Sequence, residues 1–281
     1  MSLNSAFART PSPKRIISLD APSTEMLVKL GVEPIGVAGL TGYLAAEGDV
    51  PELSKAMDVG FYYEPNLELL HSLAPQLIIS SFGVGTDNAI LERIAPVLSV
   101  PIYGAGRPVY DSAADALLRI GESIGENRQA DAFLRLHNKT LSSLRSELGP
   151  RRMRPFYLAT PLLDGRHMIV YGTNSLFDGV MRRLGLSNAY HGPTSPWGIA
   201  NIGIESLIAN PDAGFVYIES PITNAALHAL KSTALWQRIP FVRAGRLAPI
   251  PYVEMYGALP TAQRFAQAIS AVVSTGLLDE S

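Results

Sequence analysis

The residues able to do chemistry in this chain are scattered. Its five histidines, His71, His137, His167, His191 and His228, form no His-x-x-x-His pair and no Glu-x-x-His, the spacings that set two metal ligands on one helical face. The chain has no cysteine, which removes disulfides, thiolate metal sites and a cysteine nucleophile. No Gly-x-Ser-x-Gly elbow presents a serine, and no Gly-x-x-x-x-Gly-Lys-Ser/Thr loop cradles phosphate. Gly83-Val84-Gly85 lacks the third glycine of a dinucleotide fingerprint. Glu64, Glu68 and Glu92 fall in helical segments and read as solvated or first-turn charges. Glu254 stands apart. It lies in Pro251-Tyr252-Val253-Glu254-Met255-Tyr256-Gly257, an aromatic loop after an apolar run, where a carboxylate meets whatever fills a neighbouring cleft.

A second stretch follows no single periodicity. In Gly165-Arg166-His167-Met168-Ile169-Val170-Tyr171-Gly172-Thr173-Asn174-Ser175-Leu176-Phe177 an apolar strand runs into a Gly-Thr-Asn-Ser turn, from which Leu176 opens a helix. Polar side chains and free backbone N–H groups then sit at a strand's carboxyl end, where open α/β sheets bind ligands. Asn174 and Ser175 have a simpler use as helix caps.

The elements that must position these residues alternate. Strands are predicted at 15–19, 33–38, 76–80 and 100–103, and helices at 24–30, 65–73 and 88–94, with the polar glycine loop 81–86 following a strand. Such alternation implies a mainly parallel sheet covered by helices. Residues 112–148 are almost continuously helical in pattern, with Gly121 and Gly125 marking a break. The later part, from Asn127, makes a rod of roughly 33 Å at about 1.5 Å per residue. Gly149-Pro150 ends it. Strands at 155–158, 168–171, 215–218 and 247–250 and a closing helix at 261–275 complete a second α/β half. The division predicted is a disordered tail over 1–13, lobes over 14–125 and 150–281, and a linking helix over 126–149.

With 281 residues, 47% of them hydrophobic and 17% charged, the chain is composed like a packed soluble protein. A net charge of −2 and the lack of any Lys/Arg run exclude nucleic acid as a partner. No apolar run approaches the roughly 20 residues of a membrane span. The opening Met1-Ser2-Leu3-Asn4-Ser5 lacks the basic and apolar regions of a secretory leader, which fits either a cytoplasmic chain or one from which a leader has been removed.

Three blocks carry a family resemblance. They are the stretch from Gly165 to Phe177, Tyr63-Glu64-Pro65-Asn66-Leu67-Glu68-Leu69-Leu70, and Trp236-Gln237-Arg238-Ile239-Pro240-Phe241-Val242-Arg243-Ala244-Gly245-Arg246. In collinear order from about Arg15 to about Ala271, the chain resembles periplasmic ferric-hydroxamate siderophore-binding proteins. The resemblance implies two Rossmann-like lobes joined by one rigid helix, with a ferric siderophore in a shallow groove between them. It implies a monomeric, periplasmic carrier without a cofactor of its own, whose leader has been removed and which performs no catalysis. Such a carrier hands the chelate to an inner-membrane ABC permease.

Residue by residue, the resemblance places Tyr62 where the family uses an arginine on the hydroxamate oxygens, with Tyr63 beside it, and Val84 where it uses a tyrosine. Phenols lack the charge and the donor fork of a guanidinium. Trp197, in Ser195-Pro196-Trp197-Gly198, matches the groove tryptophan, and Tyr256 a rim aromatic; Glu254, two residues before it, replaces a frequent tryptophan. Alanines stand at Ala21 and Ala46, where aromatics are expected. The groove is thus expected to be wider or more polar than one tuned to ferrichrome-like hydroxamates. A cationic or a mixed hydroxamate chelator fits it, and Glu254 is free to meet an amine, a hydroxyl or an arginine of the protein itself. On the permease side, Glu205 matches the second lobe's docking acid; in the first lobe the expected glutamate falls on Ala89, leaving Asp87, with Glu92 as a neighbour. The same architecture serves haem, corrins and catecholate complexes, and a catecholate complex would need Lys or Arg that the groove loops lack. An α/β enzyme using a cleft carboxylate is the alternative of another class.

Overall fold

The computed structural model describes residues 14–82, 85–150 and 152–280. The tail predicted over 1–13 and Val84 lie outside the described residues. The first half runs β1 (Ile16–Ser18), α1 (Ala21–Lys29), β2 (Gly36–Val37), α2 (Leu40–Glu47), β3 (Met57–Asp58), β4 (Gly60–Phe61), β5 (Glu64–Pro65), α3 (Leu67–Ser72), β6 (Leu77–Ser80), α4 (Asn88–Leu91) and β7 (Val97–Ser99). Two long helices follow, α5 (Val109–Ile124) and α6 (Asn127–Leu148). The second half runs β8 (Phe156–Pro161), β9 (His167–Tyr171), α7 (Leu176–Leu184), β10 (Ile199–Gly203), β11 (Gly214–Ile218), α8 (Pro221–Lys231), α9 (Ala234–Arg238), α10 (Pro240–Arg243), β12 (Leu247–Ile250) and α11 (Leu259–Ser274).

Among the described residues each half builds a five-stranded sheet. The first, in order β3-β2-β1-β6-β7, is wholly parallel. Its central strands are apolar on both faces, as helices on both sides require: Ile16, Ile17, Ile78 and Ile79 are all buried. The second, in order β10-β9-β8-β11-β12, is parallel only across β8, β11 and β12; β9 and β10 are antiparallel. The strand β9 turns back because Asp164 Oδ1 accepts from both Arg166 N and His167 N at 2.9 Å, with Gly165 at φ 66°. That Asp-Gly pair between apolar runs is a hairpin signal which α/β alternation overrides in the sequence reading.

Two further differences have plain causes. The strand predicted at 100–103 lies three residues earlier, at β7, because Pro101 has no N–H to continue the ladder. Val100, Ile102 and Tyr103 are nevertheless buried, and Val100 N and Ile102 N bond Ser80 O and Ser81 O at 2.9 and 2.7 Å. Gly121 does not break the helix: it stays inside α5, where a Cβ would lie 2.6 Å from that of Ala130, so it lets α5 and α6 pack closely. Gly125, at φ 82°, makes the break.

Helix α6 buries Ala130, Phe133, His137, Leu141 and Leu148, spaced for one face, against α5, α7 and α11. A continuous apolar core joins the halves, running from Ile16 and Met26 through Leu117 and Phe133 to Phe156, Phe177 and Phe265. No described helix is long and apolar enough to cross a membrane.

Candidate functional site

At the carboxyl ends of the parallel strands an open cavity of about 720 Å³ lies between the halves. Asp20 and Ala21 follow β1, Ala38 and Gly39 follow β2, and Phe82 follows β6. The β4–β5 hairpin contributes Phe61 and Tyr62, and α2 contributes Thr41, Gly42, Tyr43 and Ala46. Across from them, the loop after β12 contributes Tyr252, Glu254 and Tyr256. The setting is the crevice where open α/β sheets take ligands, and its size and aromatic lining suit a small molecule.

The buried carboxylate of Asp20 organises the first half of this wall. It caps α1 by accepting from Ser23 N at 2.9 Å, and it holds the loop after β6 by accepting from Ser81 N and Phe82 N at 2.6 and 3.1 Å. Phe82 is fixed there by its backbone. Asp58 accepts from Thr41 N, Thr41 Oγ1 and Gly60 N at 3.0, 2.8 and 3.1 Å. Burial raises its pKa, but the hydrogen bonds from Thr41, Gly60 and Leu40 outweigh that and hold it below the ordinary value. Glu254 is half-buried; its Oε2 accepts from Tyr252 Oη at 2.8 Å and its Oε1 from Tyr256 N at 3.1 Å. Burial, then the neighbouring phenols and Glu254, push Tyr62 well above its ordinary pKa, and burial with Glu254 does the same for Tyr252. These phenols are neutral O–H groups at physiological pH.

The structure brings Tyr62, Glu254 and Tyr256 together on the cavity wall, with Ala21 and Ala46 also facing it. Tyr63 is exposed outside the lining and packs against Tyr62 with the rings tilted by 40°, centroids 4.1 Å apart. Trp197, half-buried, is not itself among the lining residues: it stacks on Tyr103 at 5.3 Å and meets the cavity residues Phe82 and Tyr256 at 5.4 and 4.9 Å. Gly198 makes this possible. At φ 76°, its missing Cβ leaves room for the backbone of Asn174 and Ser175. Asp87 is exposed and caps α4, accepting from Ala89 N at 2.9 Å, and Glu205 is exposed in the first turn after β10, its carboxylate folded over Gly203.

The Gly-Thr-Asn-Ser turn is not among the residues lining the cavity. Gly172 N bonds Gly198 O at 2.9 Å, Ser175 N bonds Gly172 O at 3.0 Å, and Ser175 Oγ accepts from Asp178 N at 3.0 Å to cap α7. Asn174, left-handed at φ 73°, offers its carbonyl to Val109 N at 3.2 Å and so starts α5. The turn joins helices of the two halves, and the N–H groups of Gly172 and Ser175 are spent within the fold. Sequence reasoning missed Tyr43, Asp58, Phe61, Phe82 and Tyr252. Phe82 and Tyr252 sat in loops already singled out, directly after apolar strands; nothing local marks Tyr43 or Asp58.

Contacts across the cavity floor hold the halves together. Tyr103 Oη donates to Gly257 O at 2.6 Å. Glu25 of α1 accepts from Ala258 N and, at 2.7 Å, from Thr261 Oγ1, and so caps α11, which has no capping side chain of its own. Arg264 of α11 pairs with Glu47 of α2 at 2.8 Å and lies 3.8 Å from Glu25.

The same arrangement is found among known proteins. The model for the family described as periplasmic binding protein matches residues 16–252. Over 96% of this chain and 90% of its own length, the iron(3+)-hydroxamate-binding protein FhuD of Escherichia coli is 33% identical. The Fe(3+) dicitrate-binding periplasmic protein FecB of the same organism is 27% identical, covering 87% of this chain and 79% of its own. A Fe3+-Desferal-bound siderophore-binding protein FhuD from Vibrio cholerae superposes with a TM-score of 0.81 at 25% identity, covering 92% of this chain and 97% of its own. With its crevice at the strand ends, its two α/β halves and this near full-length likeness, the chain belongs to the periplasmic binding protein family.

Proposed function

We propose that this protein binds a ferric siderophore of the hydroxamate type in the cavity between its halves and delivers it to an inner-membrane ABC permease, without covalent chemistry. The observation that carries the reading is the open cavity of about 720 Å³ walled by Phe61, Tyr62, Phe82, Tyr252 and Tyr256, in a chain 33% identical to a hydroxamate-binding protein. An apolar, aromatic groove with a few hydroxyl donors suits a neutral chelate with an oxygen-rich core. The lining charges argue against a catecholate: Asp20, Asp58 and Glu254 are all acids, and no Lys or Arg stands among the described lining residues to meet its strong negative charge.

The test is tryptophan fluorescence titration with a ferric trishydroxamate, a ferric triscatecholate, haem and a corrin. Trp197 contacts two wall residues, whereas Trp236 is buried among Phe215 and Phe241 in the second half, so Trp197 is the reporter. Saturable quenching by the hydroxamate complex at micromolar or lower concentration is expected; selective binding of any other of the four would replace the reading.

The division into lobes 14–125 and 150–281, with 126–149 as the link, belongs to this proposal and is supported by two sheets flanking α6. So do a periplasmic location after leader removal, a monomeric state, and docking to the permease through Glu205 and Asp87, both exposed. Rim acids of this kind govern encounter more than affinity. Glu205→Ala is expected to abolish siderophore-dependent growth while chelate binding stays intact; normal growth at native expression would take Glu205 off the docking surface.

A further inference from the structure

Resting on the hydroxamate reading of the cavity, we infer that Glu254 is a charge-selecting residue, so that the groove prefers ferric chelates carrying a pendant cation over neutral ones and neutral over anionic ones. The three charged side chains among the described wall residues differ in what they have left to offer. Asp20 is 2% exposed and accepts from Ser23 N, Ser23 Oγ, Ser81 N, Ser81 Oγ and Phe82 N, which occupies both oxygens. Asp58 accepts from Thr41 N, Thr41 Oγ1, Gly60 N and the backbone of Leu40, four bonds in all. Each oxygen of Glu254 accepts one bond, from Tyr252 or from Tyr256, and a carboxylate has about four lone-pair sites. It therefore keeps acceptor capacity while facing the cavity.

Among the described residues no cation takes up that capacity. The nearby Arg264 is paired with Glu47 and Glu25 and lines a separate, smaller pocket. The negative charge of Glu254 is felt by its surroundings: it raises the pKa of Glu47, after burial and against Arg264, and those of Tyr252 and Tyr256. The groups around it suit an ammonium. Tyr62, Tyr252 and Tyr256 line the cavity beside it with aromatic rings and neutral hydroxyls, and a cation gains from both.

Chelate chemistry makes this selection consequential. Three hydroxamates, each losing one proton, balance the three charges of ferric iron, so the metal core is neutral and pendant groups set the net charge. An ammonium on the chelator makes the complex a monocation, and its pairing with a half-buried carboxylate is expected to be worth about tenfold in affinity, equivalent to about 1.4 kcal/mol.

The experiment uses three ferric probes that share one trishydroxamate core: desferrioxamine with its free terminal amine, the same molecule N-acetylated, and the same molecule N-succinylated. Dissociation constants are measured for wild type and Glu254→Gln. Wild type is expected to bind the amine form about tenfold more tightly than the acetylated form and the succinylated form most weakly, with the spread narrowing to about twofold in Glu254→Gln. Wild-type affinities within twofold of one another would overturn the inference and leave the hydroxamate reading standing. An undiminished spread in Glu254→Gln would overturn the role of Glu254, and failure of all three probes to bind wild type would remove the hydroxamate reading and the inference together. Should Glu254→Gln not fold, the wild-type ratio in low and high salt decides: it is expected to shrink with salt, and a salt-independent preference would overturn an electrostatic origin.

Discussion

Glu25 reaches out of α1 to cap α11, and the burial that makes this cap dry lifts its pKa to about 7 against the pull of Arg264, Ala258 and Thr261. In the unfolded chain it titrates near 4.5. A carboxyl raised on folding contributes stability that is fully present below about pH 4.5 and lost as pH rises through about 7. His137 behaves oppositely. Fully buried between α5 and α11, with its Nε2 2.7 Å from Tyr110 Oη, it is pushed by burial to about 4 from 6.5. The native imidazole stays neutral, so its contribution is present above about pH 6.5 and lost as pH falls through about 4. The two slopes oppose each other in the wild type, and single variants separate them. By scanning calorimetry, the Tm of Glu25→Gln minus that of wild type is expected to rise from pH 5 to pH 8, and the same difference for His137→Gln to rise from pH 7 to pH 4.5. Flat differences would show that neither group changes protonation on folding. Trp197 makes a further residue-level prediction. Because it stacks on the buried Tyr103 and supports Tyr256, Trp197→Ala is expected to weaken chelate binding by about 2 kcal/mol and to lower Tm as well. An unchanged dissociation constant by titration calorimetry would detach the ring from the wall.

The helix α2 is the element whose position most depends on others. It buries only Leu40, and it is bounded by Gly39 and Gly48 at φ 69° and 85°. Its inner face is the cavity wall itself. Two polar ties hold it: Asp58 to Thr41 at its start and Arg264 to Glu47 at its end. Arg264→Met removes the second tie and leaves Glu47 and Glu25 without their cation. Breaking a fully buried pair costs about 3–5 kcal/mol; Arg264 is 40% exposed, so about 2 kcal/mol is expected. The loss in chemical denaturation should be smaller at pH 5, where Glu25 is protonated, than at pH 8. Equal losses at both would place the cost outside the Glu25 contact. The sequence reading passed over this helix for the same reason that it is loosely held: a helix that buries one side chain carries no apolar period. By contrast, α5, α6 and α11 bury whole faces, and their spacing reveals them, to within a few residues at each end.

At the scale of the whole molecule, the two sheets share one apolar core and are joined by α6, by Tyr103 to Gly257 and by Glu25 to Ala258 and Thr261. Wide hinge closure would break that core. Rocking of small amplitude is expected instead, so the radius of gyration by small-angle scattering should change by less than about 1 Å on chelate binding. A drop of several ångströms would contradict a common core.

What the sequence determined by itself is what short-range patterns encode. Alternating strands and helices, the 22-residue α6 and the polar loops after strands follow from periodicity and from glycine and proline placement. Three motif blocks were enough to point to the family. The tertiary structure decided which loops face one another. Tyr62 and Glu254 line one cavity although 192 positions separate them in sequence, because the two halves pack with their loops at the strand ends facing one another. Trp197 packs against the wall residues Phe82 and Tyr256, and the Gly-Thr-Asn-Ser turn ties helices together, because a residue's role depends on which groups packing leaves free. The antiparallel edge of the second sheet was legible only in a single Asp164-Gly165 pair. Of the cavity's acidity only Glu254 was legible; Asp20 and Asp58 join it on the lining only when both halves are folded against α6.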